Sequence, residues 1–192
     1  MGISAAKKVL AVTLLFLLAY APGLAENLSV NDVVPDFTLT NHNGGKTSLS
    51  DYKGKGVVLS FLYTTCPYPN KCPMIGKKLS SLADVIEKIG ESDQVQVLAI
   101  TIDPKNDTPE VLKAYAQGFD KSHKNWMFLT GSEDDIARVA GAFGVLYWDE
   151  EGAIQHNMRT VFIGPDQTVQ VIKSGSDWKA GEFAAEIQRT LK

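Results

Sequence analysis

The stretch Val57-Val58-Leu59-Ser60-Phe61-Leu62-Tyr63-Thr64-Thr65-Cys66-Pro67-Tyr68-Pro69-Asn70-Lys71-Cys72-Pro73 decides the fold. Its first seven residues form a nearly unbroken apolar run, the pattern of a strand buried on both faces. The run leads directly into two thiols separated by five residues. Pro67 and Pro69 keep the intervening chain from continuing as helix, so residues 66–72 form a shaped loop. Beyond Pro73, the residues Ile75, Leu79, Leu82, Val85, Ile86 and Ile89 recur at helical spacing up to Gly90. Strand, cysteine loop and helix therefore follow in order. The thiols fall at the C-terminal end of a strand, where open α/β sheets place their sites.

The pattern continues on both sides. Residues 95–102 read as the next central strand. Thr108 caps a helix with Pro109 at its first position. Residues 126–129 form a short strand, and Ser132 opens a helix with Glu133, Asp134 and Asp135 in its first turn, where the helix dipole favours acids. Residues 159–163 and 168–172 flank the turn Gly164-Pro165-Asp166-Gln167, and residues 178–191 form a closing amphipathic helix. Upstream, residues 36–40 alternate like a strand, 41–45 turn and 46–49 return as a hairpin partner. Residues 26–55 thus read as an N-terminal addition. The expected fold is α/β, a thioredoxin-like three-layer sandwich with an N-terminal β-hairpin extension.

The chain has 192 residues, 44% of them hydrophobic, and a formal charge of −3, which describes one compact domain without a basic stripe for phosphates. Nucleic-acid binding is disfavoured. At the N-terminus, Lys7-Lys8 precedes an almost uninterrupted apolar run over residues 9–20, which ends at Ala21-Pro22-Gly23-Leu24-Ala25. This is signal-peptide grammar, and the run is shorter than the roughly 20 residues of a membrane span. Residues 1–25 are therefore expected to be a cleavable signal peptide, cut after Ala25, with 26–192 as the exported domain. A periplasmic or secreted protein with no permanent membrane span follows. The cysteines then lie where disulfides form.

Cys72 stands at the expected helix N-cap with Pro73 at the first helical position, so unpaired helix N–H groups are expected to lower its pKa. Lys71 adds a positive neighbour. The cysteine pair is equally readable as a disulfide closing the loop, and the same pair can be both bridge and site. His42 lies in the hairpin turn and His123 in a polar stretch, both as solvated loop residues. His156 precedes the strand 159–163, and in a thioredoxin-like layout the loop leading into that strand faces the cysteines. Two thiolates and one imidazole make a soft, low-coordinate set suited to copper, whereas a structural zinc site wants a fourth ligand. Met158 offers either a weak thioether or core packing.

Several elements together resemble the Sco/SenC family over most of residues 30–190. They are residues 58–62 leading into Cys66-Pro67 and Cys72-Pro73, the string 101–112, the stretch 126–131, and His156 ahead of an apolar strand and Gly164-Pro165-Asp166. Asp-Pro-x-x-Asp-Thr-Pro, at 103–109, is the most specific element. The resemblance implies a thioredoxin-fold protein that binds a copper ion through two Cys and one His. It also implies a metallochaperone or thiol-redox assembly factor for the copper centre of cytochrome c oxidase, rather than a turnover enzyme. Carried over by position, the metal ligands are Cys66, Cys72 and His156. Asp103, at the end of the central strand, reads either as an acceptor behind them or only as a strand-end turn with Pro104. The implied partner is the copper-bearing subunit of that oxidase or another copper or thiol protein. The family's usual pair is Cys-x3-Cys-Pro, so the loop here is enlarged by two residues, and the leader reads as cleavable where the family is commonly membrane-anchored.

The alternative is a periplasmic thiol-disulfide oxidoreductase in which Cys66 attacks and Cys72 resolves. The five-residue spacer departs from Cys-x-x-Cys enzymes, and Met158-Arg159-Thr160 stands where thioredoxins place a substrate-facing proline. A peroxiredoxin would need threonine where Tyr63 stands. A disulfide-stapled binding domain is the plainest reading.

Overall fold

A computed structural model describes residues 27–119 and 125–191, so the leader and His123 lie outside the described residues. The first half contains β1 (Thr38–Asn41), β2 (Lys46–Ser48), a 3-10 turn (Leu49–Tyr52), β3 (Gly56–Leu62), α1 (Cys72–Lys88), β4 (Val95–Thr101) and α2 (Pro109–Gln117). The second contains β5 (Trp126–Thr130), α3 (Glu133–Ala142), β6 (Tyr147–Glu150), β7 (Ala153–His156), β8 (Arg159–Ile163), β9 (Val169–Ser174) and α4 (Ala180–Thr190).

All seven residues of β3 and all seven of β4 are buried, as their apolar composition demands of central strands. They pair in parallel from Gly56 opposite Val95 to Leu62 opposite Thr101. β5 continues the parallel set beyond β4, and β8 and β9 extend the sheet antiparallel on the other side. The order is β2-β1-β5-β4-β3-β8-β9, a mixed α/β sheet with helices against it. Phe61 of β3 meets Phe143, just beyond α3, at a ring distance of 6.0 Å. The helix starts follow their caps: the hydroxyls of Thr108 and Ser132 accept from Val111 N–H and Asp135 N–H. No helix among the described residues is long and apolar enough to cross a membrane.

The N-terminal hairpin is not an appendage. β1 pairs antiparallel with β5, Thr40 opposite Thr130, and so carries the main sheet outward by two strands. Without it the β5 edge would present unpaired backbone groups.

His42 departs from the solvated role expected of it. Where the β1–β5 ladder ends, its Nδ1 accepts the Phe128 N–H at 3.1 Å, and its ring stands edge-on to Phe128. Burial lowers its pKa, with the Lys113 charge acting in the same direction. Stability from this group is full above the ordinary imidazole value of about 6.5 and is lost as pH falls through that value toward the lower folded one. The urea midpoint is therefore expected to fall between about pH 7.5 and about pH 5.5. In His42→Gln that fall should be shallower; an identical slope would remove His42 from the effect.

A second departure is the β6–β7 hairpin, a separate two-stranded sheet with Tyr147 opposite His156 and Glu150 opposite Ala153. Its tip, Glu151 and Gly152, takes positive φ at both residues (55° and 81°), as tight hairpin turns require. His156 is therefore the last residue of β7 and not part of a loop leading into β8.

Candidate metal centre

The end of β3 is anchored before it reaches the cysteines. The buried carboxylate of Asp107 accepts from Thr64 N–H at 3.1 Å, from the Thr64 hydroxyl at 2.5 Å and from the Thr101 hydroxyl at 2.5 Å. This ties the strand ends of β3 and β4 together just before the cysteine loop. Burial pushes the Asp107 carboxyl up despite these donors. Asp103 takes the second of its two expected roles: both its oxygens accept from the Asn106 amide, at 3.1 and 2.9 Å, and it shapes the turn after β4.

Cys72 is fully buried and is the first residue of α1, with Lys71 as the N-cap. Its Sγ lies 3.2 Å from His156 Nε2. The other ring nitrogen of His156, Nδ1, lies 3.0 Å from the Asn157 carbonyl. A carbonyl only accepts, so this contact assigns the proton to Nδ1 and leaves the Nε2 lone pair facing the thiol. The Asn157 carbonyl thus fixes the tautomer and the orientation of the ring. Burial, reinforced by the Lys71 charge, lowers the His156 pKa and keeps the ring neutral at physiological pH.

The pKa expectation for Cys72 is reversed. Burial pushes its thiol up, and a charge on Cys66 acts in the same direction. The sulfur points into the core against His156, so desolvation outweighs the helix N–H groups. Cys66 is half-buried, and its thiol approaches the Tyr68 carbonyl at 3.9 Å. Both cysteines are free thiols. Among the described residues, no three Cys, His, Asp or Glu side chains are gathered to hold a metal ion as they stand. Cys72 and His156 form a close pair, and Cys66 lies near enough to Cys72 to act on its thiol. Met158 packs partly buried against the core, the second of the roles open to it.

Three consecutive residues of β7 are held from outside their own hairpin. The Tyr63 hydroxyl donates to the Ile154 carbonyl at 2.9 Å. The Gln155 amide donates to the Tyr68 hydroxyl at 2.8 Å and accepts from Lys71 Nζ at 2.6 Å. Lys71 Nζ also sits 4.6 Å from the centre of the Tyr68 ring, a cation–π distance. His156 completes the series on Cys72. The cysteine loop is thus fastened to the histidine-bearing strand by its own residues 68 and 71. Tyr63, Tyr68, Asp107 and Gln155 were not singled out as site residues from sequence. For Asp107 the signal existed, since it belongs to the Asp-Pro-x-x-Asp-Thr-Pro string.

A family model described as SCO1/SenC matches residues 25–192. Protein SCO1 homolog, mitochondrial, of Homo sapiens is 31% identical over 162 residues, covering 81% of this chain and 52% of the human protein. The chain spans about half the length of such mitochondrial relatives. Among solved structures, BsSco is described as a member of the Sco family of cytochrome c oxidase assembly proteins in which a disulfide switch was identified. It superposes with a TM-score of 0.73 at 26% identity, over 85% of this chain and 96% of BsSco. Arabidopsis thaliana ScoI with copper bound superposes with a TM-score of 0.68 at 25% identity, over 82% of this chain and 99% of ScoI. The matched residues include the sheet, the cysteine loop and the strand bearing His156, and the chain belongs to the SCO1/SenC family.

Proposed function

We propose that this protein is an exported copper carrier, periplasmic or secreted after cleavage at Ala25. It binds a copper ion through Cys66, Cys72 and His156 and serves assembly of the copper centre of cytochrome c oxidase. The observation that carries this reading is the 3.2 Å pairing of Cys72 Sγ with a neutral His156 whose lone pair faces it. Two thiolates and an imidazole form a soft donor set matched to copper. The copper-bound ScoI relative supports the choice of metal, and BsSco, described as a member of a family of cytochrome c oxidase assembly proteins, supports the choice of process.

In this scheme Cys72 and His156 are the held pair, kept in place by α1, the Asn157 carbonyl and the Tyr63 tie to β7. Cys66, half-buried on the loop, meets the metal or the partner's thiol first. Both thiols must lose their protons to coordinate, so loading releases protons. Oxidation of the pair to a disulfide removes two electrons and two protons and eliminates both thiolate donors. Redox state then gates loading.

Anaerobic titration with Cu(I) against a competing chelator tests this directly. The reduced protein is expected to bind more than about a hundredfold tighter than the Cys66→Ser, Cys72→Ser double variant, beyond the range that loss of a supporting hydrogen bond gives. Equal affinity overturns the copper reading.

The unequal exposure of the thiols favours one second reading, a thiol-disulfide oxidoreductase with Cys66 attacking and Cys72 resolving. Insulin reduction far faster than by free dithiol, unchanged in His156→Ala, would decide for it.

A further inference from the structure

The β6–β7 hairpin, the turn after β4 and the start of the cysteine loop enclose a groove of about 550 Å³. Thr65 and Pro67, the neighbours of Cys66 on either side, lie along its wall, and Trp148 and Ile154 lie opposite. Cys66 is not itself in the lining, but with a neighbour on each side in the wall, an occupant of the groove lies beside its half-buried thiol.

The chemistry of the walls is one-sided. Trp148 is 54% exposed, an uncommon state for the largest apolar side chain. Asp103, Glu133 and Asp149 line the groove, and Glu150 and Glu151 stand exposed at the hairpin tip beside it. Lys105 is the cation in the lining, and it is engaged by Glu133 at 3.0 Å. The floor offers little further hydrogen bonding, because the Tyr63 hydroxyl is bound to the Ile154 carbonyl. An exposed indole face among carboxylates is the combination that accepts a guanidinium or ammonium group, by cation–π contact and by charge. A second copy of this net-acidic chain would present the wrong sign.

We propose that the groove docks a basic, arginine- or lysine-bearing segment of the partner protein, placing the partner's own thiol against Cys66. The proposal rests on the reading of Cys66 as the group that meets the partner. Docking is separable from metal binding, because neither Trp148 nor the hairpin-tip acids belong to the ligand set.

The test uses two synthetic peptides of equal length, each with one cysteine in disulfide linkage to thionitrobenzoate. The cysteine is flanked by arginines in one and by glutamates in the other. The Cys66 thiolate attacks the peptide sulfur, one S–S bond forms, one breaks, and the coloured thionitrobenzoate leaves with the electron pair. Cys72 can then displace the peptide thiolate, which could release a second coloured ion from another labelled peptide, so the initial rate is read with the reduced wild-type protein in excess, where capture by Cys66 accounts for the colour. Each rate is divided by that of the same peptide with mercaptoethanol, which removes the peptide's intrinsic reactivity.

The arginine peptide is expected to react at least about tenfold faster at low ionic strength, with the advantage shrinking in salt. The Asp149→Lys, Glu150→Lys double variant should lose that preference, and Trp148→Ser should reduce it, with the unfolding midpoint and Cu(I) affinity unchanged in both. Equal rates, or a preference that survives the charge reversal, overturn the proposal. A faster glutamate peptide also does so, by showing that Lys71 governs approach to Cys66. Rates that fall as protein concentration rises would show that a second copy fills the groove, and overturn it equally. Absent Cu(I) binding with the charge preference intact would sink the copper reading alone.

Discussion

In the reduced, metal-free protein, Cys66 is expected to be alkylated by iodoacetamide at least about a hundredfold faster than Cys72. Cys72 has no accessible surface, and its sulfur is covered by His156 and the first turn of α1. Burial also pushes its thiol up, so little of it is thiolate until well above neutral pH. Reagent reaches Cys72 only when the loop and α1 open together. Cys66 is only half-buried and is reached without such an opening. Mass spectrometry of the two tryptic peptides after timed labelling measures the ratio. Denaturant should equalise the rates, and comparable rates without denaturant would mean that the Cys72–His156 pair is not closed in solution. The proposed order of events, Cys66 first and Cys72 second, would then lose its basis.

Replacing Asp107 with alanine is expected to cost about 3 kcal/mol, roughly a 10 °C fall in melting temperature for a chain of this size. Three donors converge on this carboxylate, and alanine would leave all of them without it, including the fully buried Thr101 hydroxyl. The damage would centre on the junction of β3 with the cysteine loop, so hydrogen exchange should rise first around Thr64 and Thr101. Asp107→Asn should be milder, since its amide oxygen can keep part of the set. Burial raises the folded pKa of Asp107 above its unfolded value. The folded state therefore takes up the proton more readily. This contribution is full below the unfolded value of about 3.9 and is lost as pH rises through the folded one. Calorimetry of wild type and Asp107→Ala checks the size; a change below about 1 kcal/mol would show that the three contacts do not anchor the loop.

What could be read in advance was whatever local pattern encodes. The apolar run of β3, the helical spacing of α1 and the capping residues Thr108 and Ser132 each report their environment over a few neighbouring positions, and each is found in its expected place. The proximity of His156 to the cysteines was legible only through topology, and it is realised at Cys72. What escaped depends on partners far along the chain. Asp107 reaches Thr64 across 43 positions, Tyr63 reaches Ile154 across 91, and His42 reaches Phe128 across 86. No periodicity announces such pairs. β6 escaped for another reason, since Tyr-Trp-Asp-Glu does not alternate and Glu151-Gly152 is a weaker turn signal than Asn-Gly. The Cys72 pKa was misjudged because helix position is visible in sequence and depth is not.

The three grips on Ile154, Gln155 and His156 make the β6–β7 hairpin unequally tolerant of length changes. Adding residues at the tip, between Glu151 and Gly152, leaves the register of β7 untouched and changes only the exposed turn at the rim of the groove. Adding or deleting a single residue between Ala153 and His156 flips every later side chain of the strand to the opposite face. The imidazole would turn away from Cys72 even though the hairpin could still form. Length at the tip can therefore change without disturbing the Cys72–His156 pair, although it would alter the rim of the groove, whereas the four residues of β7 are a ruler whose length cannot be altered.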